Sequence, residues 1–250
     1  MPVAFDTLPP VAILAGGLGT RLQPYTATVP KSMVEVAGEP FVAHQLRLLA
    51  GQDARDIVLC TGHLGEQIEQ FVGDGDRFGC RVRYSREARD LLGTGGALRR
   101  ALPLLGARFL VIYGDSYLPI RFLPVWQAFW RGGVAGLMTV FRNDGRWDTS
   151  NVEFVDGAIR RYDKAARTAA MRYIDYGLGA FDAPALAAYP IDQRLDLAAV
   201  YRDLLREGRL GGYEVTERFY EIGSPAGLAE TSALLAARPR VGRAPERARQ

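Results

Sequence analysis

Short aliphatic and β-branched runs alternate with segments whose apolar residues recur every third or fourth position, and this alternation leaves few architectures open to the chain. VAILA (11–15), DIVLCTG (56–62), RVRYS (81–85) and RFLVIYGDS (108–116) read as strands that end in or run into Gly, Ser or Asp. Between them FVAHQLRLLAGQ, LGEQIEQFV and GALRRALPLLG carry helical spacing. A strand that returns through a helix lies parallel to its predecessor, with helices covering the sheet. The expected fold class is α/β, a central mixed, mostly parallel sheet flanked by helices, with ligands at the C-terminal edge of the strands.

Beyond Arg131 the texture changes. VAGLMTVFRN, NVEFVD, AIRRYDK and MRYIDYGLGAFD are strand-like, with a tight turn signal at Asp156-Gly157. A last helix opens at Ser224-Pro225, with Ser as N-cap and Pro at the first helical position. The expected organisation is one domain over 1–237, in two halves that divide at about 130, the half over 131–237 extending the sheet and carrying a second substrate. The tail 238–250, RPRVGRAPERARQ, is basic, almost without apolar residues, and expected to be disordered.

The chain has 250 residues and a formal net charge of +3, part of it in that tail. No basic face on a folded element is visible, so nucleic acid is not an expected partner. The sequence holds no apolar run of membrane-spanning length, and MPVAFDTLPP lacks the basic and apolar regions of a signal peptide. A cytoplasmic protein without membrane association is expected. Cys60 and Cys80 are too few for a disulfide framework and lack zinc-site spacing, so they read as strand or loop thiols.

Gly16, Gly17 and Gly19 follow the first strand, where positive φ is accessible and bare backbone N–H groups can approach a phosphate. The turn is not a Walker A loop, since no GK[ST] follows, nor a dinucleotide fingerprint, since Leu22 stands where a third glycine belongs. Arg21 and Lys31 strengthen the phosphate reading, the first offering a planar fork and the second a point charge. Pro30 keeps the approach to Lys31 extended. Taken alone, the same residues also suit a structural turn with two solvated bases. Asp115, in YGDSYL, is a hard carboxylate at a strand end, suited to Mg²⁺ or to capping a turn.

GGLGTRLQPYTATVPKSMVEVAGEPF resembles the signature of the sugar-1-phosphate nucleotidyltransferases, a GGxGTRLxPxT pattern followed by PK. Thr20, Arg21, Leu22, Pro24, Thr26, Pro30 and Lys31 stand in the family's order, and the similarity runs from Val11 to the last helix. The resemblance implies a Rossmann-like nucleotidyltransferase fold and transfer of a nucleoside monophosphate from an NTP to a sugar 1-phosphate, with Mg²⁺ as cofactor. It implies that Gly16, Gly17, Gly19 and Thr20 cradle the triphosphate while Arg21 and Lys31 act on the phosphates. Asp115 matches the family's metal aspartate. Glu221, in FYEIGSPAGL, stands where the family's second metal aspartate is usual.

Asp163-Lys164 replaces the family's Glu-Lys pair, and Asp175, in IDYGLGAF, stands in place of asparagine. These residues, with Gly177, are the implied sugar-phosphate contacts. The base pocket is implied to use Ala15, Gly16, Gly93, Thr94, Gly95 and Gly96, with Glu87 nearby, and Thr94 is placed to cap the helix that follows. LGTGGAL together with GDSYL is most similar to heptose-1-phosphate guanylyltransferases, which favours GTP. N-acetylmuramate-phosphate uridylyltransferases and mannose-phosphate guanylyltransferases share much of the pattern, which keeps UTP as the alternative.

Two other readings compete. The departures at Glu221 and Asp163 suit a nucleotide-sensing protein without turnover, and Asp74-Gly75-Asp76 has the DxD spacing of a glycosyltransferase metal site. His44 reads as a packing residue and His63 as a helix cap or a residue at the ligand edge. Trp126, Phe129 and Trp130 form a helical aromatic cluster suited to the core or to a homo-oligomer contact.

Overall fold

All four apolar runs of the first half form strands. The computed structural model describes residues 5–87 and 91–238. In chain order its elements are β1 (Val11–Leu14), β2 (Glu35–Val36), β3 (Glu39–Pro40), α1 (Phe41–Ala50), β4 (Asp56–Thr61), α2 (Gly65–Val72), β5 (Arg81–Arg86), α3 (Gly93–Leu105), β6 (Arg108–Tyr113) and β7 (Ser116–Tyr117). They continue as α4 (Phe122–Gly132), β8 (Gly136–Arg142), β9 (Val152–Val155), β10 (Ala158–Tyr162), β11 (Tyr173–Asp182), α5 (Ala183–Ala187), α6 (Leu197–Arg206), β12 (Leu210–Val215), β13 (Tyr220–Glu221) and α7 (Pro225–Ala236).

A nine-stranded sheet takes the order β10-β9-β11-β6-β1-β4-β5, with β8 paired to both β11 and β12. β6, β1, β4 and β5 run parallel. β11 joins β6 antiparallel, and β8 lies antiparallel to β11 but parallel to β12, so the sheet is mixed as expected. β1 lies between β4 and β6, which explains why VAIL has no polar face. Val11 and Ile13 join Ile57, Leu59, Leu110 and Ile112 beneath α1, α2 and α4. Ala12 points the other way, with Val58, Phe109 and Val111, toward α3 and α6.

In α1, Phe41, Val42, Gln45, Leu46 and Leu49 are buried at helical spacing. Ser224 caps α7 as expected, its side chain accepting from Gly227 N, with Pro225 in the first turn. Trp126 and Phe129 are buried, so the aromatic cluster belongs to the core. Cys60 and Cys80 are both buried free thiols, and burial pushes Cys60 up to about 12. Among the described residues no helix is long and apolar enough to cross a membrane. The basic tail beyond Arg238 lies outside the described residues; Arg238 itself donates to Tyr117 Oη at 2.7 Å. The aromatic-rich α4 apart, sequence periodicity singled out neither α6 nor β12, which close the second half against β8 and β10.

Candidate active site

The chain leaves β1 at Leu14 and turns through the glycines into a 3₁₀ turn over Thr20–Leu22. Gly19 adopts φ +63°, and a Cβ there would stand 2.8 Å from Thr26 Cγ2. Thr26 Oγ1 donates to Gly19 O at 2.8 Å, folding the loop back on itself. Arg21 and Lys31 are thereby brought to one cavity of about 370 Å³, lined also by Ala15, Gly16, Gly17, Gly19, Thr20, Gly93, Thr94 and Asp115. Sequence patterns did not single out Ser32, Tyr113 or Arg194, which line it too. Glu87 also faces this cavity; its Oε1 accepts from Leu92 N at 2.8 Å, and burial raises its carboxyl above the ordinary value despite that bond and the charge of Arg100.

Asp115 follows β6 in a turn clamped from two sides. Gln45, buried on α1, donates Nε2 to Tyr113 O at 2.9 Å and to Ser116 O at 2.8 Å. Ile222 N donates to Asp115 O at 2.9 Å, and β7 pairs with β13, so that Glu221 lies opposite Ser116. The two carboxylates expected to hold metal are thus brought near each other by strand pairing although they stand 106 positions apart, 221 less 115. Asp115 Oδ2 is ion-paired with Lys31 Nζ at 2.5 Å. Glu221 turns onto the start of α7, accepting from Ser224 Oγ at 2.6 Å and from Gly223 N. A Cβ on Gly223 would stand 2.9 Å from Lys31 Nζ and 3.3 Å from Arg21 Nη2, so both cations and Glu221 crowd one point.

A second cavity of about 360 Å³ opens beside the first, and Arg21, Tyr113 and Asp115 line both. Lys164, Asp175, Gly177 and Glu221 line the second, joined by Ser116, Asp148, Thr149, Asn151 and Arg167. β11 carries an irregularity against β8 between Asp175 and Gly179, and Gly177 takes φ +100° within it. Such a bulge re-aims side chains at a sheet edge. Asp175 Oδ1 accepts from Gly177 N at 3.1 Å, and Oδ2 accepts from Tyr113 Oη and Tyr162 Oη, each at 3.4 Å. Burial raises the Asp175 carboxyl above the ordinary carboxylate value, opposed by the Lys164 charge and these donors. Lys164 Nζ sits 5.9 Å from the Tyr113 ring centroid.

Three residues of the expected set lie outside the cavities. Gly95 N and Gly96 N donate to Leu195 O at 2.9 and 3.1 Å, and a Cβ at either would strike Leu195 or Gln193, so close packing of the 193–196 loop requires them. Asp163 instead accepts from Ala165 N and Ala166 N, both at 2.8 Å, which hold its carboxyl below the ordinary value. The capping role expected of Thr94 is corrected as well. Leu92 is the N-cap of α3 and gives it no side-chain cap, whereas Thr94 Oγ1 accepts from Leu197 N at 2.9 Å and donates to Asp196, the N-cap of α6.

His44 and His63 line neither cavity. His44 Nε2 is instead 2.8 Å from Val36 O. Asp74-Gly75-Asp76 precedes β5, at the strand start, and so sits at the sheet edge opposite the cavities, where Asp76 N donates to Asp74 Oδ1. That placement removes the support for a DxD metal site.

A family model described as nucleotidyl transferase matches residues 11–148. The N-acetylmuramate alpha-1-phosphate uridylyltransferase of Neisseria meningitidis is 29% identical over 229 residues, covering 90% of this chain and 97% of that protein. The mannose-1-phosphate guanylyltransferase catalytic subunit beta of Drosophila pseudoobscura pseudoobscura is 27% identical, covering 85% of this chain but 58% of that protein, so the chain spans little more than half of that longer relative. A Bacillus anthracis crystal structure, provisionally described as a glucose-1-phosphate thymidylyltransferase, superposes with TM-score 0.83 at 22% identity, covering 95% of this chain and 98% of that one, and so shares the fold.

Proposed function

Because the chain belongs to the nucleotidyl transferase family, we propose that it transfers a nucleoside monophosphate from an NTP to a sugar 1-phosphate, releasing pyrophosphate and forming an NDP-sugar. The observation that carries this reading is the pair of cavities joined at Arg21, Tyr113 and Asp115. A two-anion reaction needs two phosphate sites meeting where charge is neutralised. An oxygen of the sugar phosphate attacks the α-phosphorus in line; the new P–O bond forms as the bond to the β-phosphate oxygen breaks, and pyrophosphate leaves with that electron pair. No proton need be removed from the nucleophile, which is already an anion.

In this reading the backbone of Gly16 to Thr20 cradles the triphosphate and Arg21 neutralises the departing pyrophosphate. Lys31 engages the phosphates near the point of attack, and Lys164 holds the acceptor phosphate. Asp163 positions Lys164 through the turn it caps, while Asp175 and Gly177 face the sugar. Asp115 at the junction and Glu221 in the second cavity are hard oxygen donors, a set that suits Mg²⁺, which takes one or two carboxylates plus substrate phosphates. When bound, the metal supplies charge neutralisation at the phosphates. We place the enzyme in the cytoplasm, where NTPs are supplied.

For the base, GTP is the reading Glu87 favours. A carboxylate only accepts hydrogen bonds, and guanine presents two N–H donors side by side, whereas uracil presents one between two carbonyls. UTP is the second reading, favoured by the near end-to-end match to the Neisseria uridylyltransferase.

A pyrophosphate-release assay over four NTPs and a panel of sugar 1-phosphates with Mg²⁺ tests both levels. Turnover with GTP, shifted toward UTP by Glu87→Gln, supports the guanine reading. Preference for UTP in the parent supports the second. No pyrophosphate from any pair, with NTP binding indifferent to Mg²⁺, would return the protein to a nucleotide-sensing role.

A further inference from the structure

Resting on the reaction proposed above, we infer that the second cavity selects sugar 1-phosphates whose ring substituents are hydroxyls or amines and rejects those bearing a carboxylate, with Asp148 as the discriminating residue. Asp148 lies in the loop joining β8 to β9 and lines that cavity. The loop is organised around Asn143, whose side chain is buried. Asn143 Nδ2 donates to Asp148 O at 2.5 Å and to Ser150 Oγ at 3.2 Å, while its Oδ1 accepts from Trp147 N at 3.2 Å.

A second brace comes from the last helix. The Arg218 guanidinium lies 3.5 Å from the Trp147 ring centroid and 4.4 Å from that of Tyr220, and donates to Glu230 of α7 at 2.6 Å. Asp148 is therefore presented by a tied loop. One of its oxygens accepts from Thr149 N, and the other has no partner among the described residues.

Asp175, Asp115 and Glu221 bring the carboxylates lining the same cavity to four, and of its cations Arg21, Lys164 and Arg167, the last two are the ones the acceptor phosphate would engage. Hydroxyl and ammonium groups donate to a free carboxylate oxygen; another carboxylate meets it as a like charge. Juxtaposed like charges discriminate strongly between ligands of equal size.

Calorimetric binding of glucose 1-phosphate, glucosamine 1-phosphate, glucuronic acid 1-phosphate and N-acetylmuramate 1-phosphate to the full chain tests the inference without requiring turnover. The first two should bind about tenfold or more tighter than the two acids. Asp148→Asn keeps an oxygen to accept from Thr149 N, so the turn persists, and it should narrow the neutral-to-acidic ratio several-fold. Equal or tighter binding of the acids overturns the inference, as does an unchanged ratio in Asp148→Asn, or binding of none of the four by protein that melts cooperatively. The expected ratios without pyrophosphate release from any NTP would count against the proposed reaction alone.

Discussion

Lys31 Nζ lies 2.5 Å from Asp115 Oδ2, an ion pair closed between residues 84 apart in the chain. Asp115 lines both cavities and Lys31 the first, so the cation proposed to act near the point of attack is held by the carboxylate proposed to hold metal. Replacing Lys31 or Arg21 with Ala should lower kcat by roughly a hundredfold or more, the scale seen when one preorganised electrostatic group is removed. A partly exposed ion pair contributes about 1 kcal/mol or less, so melting should fall by only a few degrees. Parallel losses of activity and of melting temperature would return these bases to a structural role.

Gln45 acts on Asp115 from beneath. Gln45→Leu, similar in volume, leaves the partly buried carbonyls of Tyr113 and Ser116 without this donor. Urea unfolding should show a loss of about 2–3 kcal/mol. The Asp115 turn should loosen as well, so kcat at a temperature where the variant remains folded should fall.

Asp175 gives a pH signature. Burial raises its folded carboxyl above the ordinary 3.8, so the folded state holds a proton that the unfolded state has lost. Its contribution to stability therefore falls as pH rises from 3.8 through the raised value, and the ionised form is the destabilised one. Asp175→Asn should melt higher than the parent at pH 8, with the gap closing as the pH is lowered toward 3.8. A gap that widens in acid would contradict the assignment.

Glu221→Gln retains an oxygen to accept from Gly223 N or Ser224 Oγ, preserving the start of α7. It removes the charge proposed to face Mg²⁺. The Mg²⁺ concentration giving half of the NTP-dependent thermal shift should rise about tenfold or more. An unchanged midpoint would confine Glu221 to capping the helix.

Much of the first half was legible because strand and helix periodicities are local. VAIL, DIVLCT and RFLVIY each bury both faces, and their composition says so before any partner is known. That the glycine turn, Arg21 and Lys31 share one cavity was legible for the same reason, since the turn is built from residues close in sequence. Asp148, Arg167 and Arg194 carried no such signal; they reach the cavities from loops that neighbour the glycine turn in space alone. Gly95 and Gly96 misled because a glycine needed for close packing against Leu195 looks, in sequence, like one needed for a ligand.

The amino-acid order by itself determined the alternating α/β plan, the glycine turn and the N-cap of the last helix, all set by contacts within one or two turns of chain. Tertiary structure alone decided that Glu221 reaches Asp115 through the β7–β13 pairing, that Asp163 spends its carboxylate on its own turn, and that Asp148 lines the second cavity. Those outcomes depend on long-range pairing and on which hydrogen-bond donors happen to lie nearest, and neither is written in local composition.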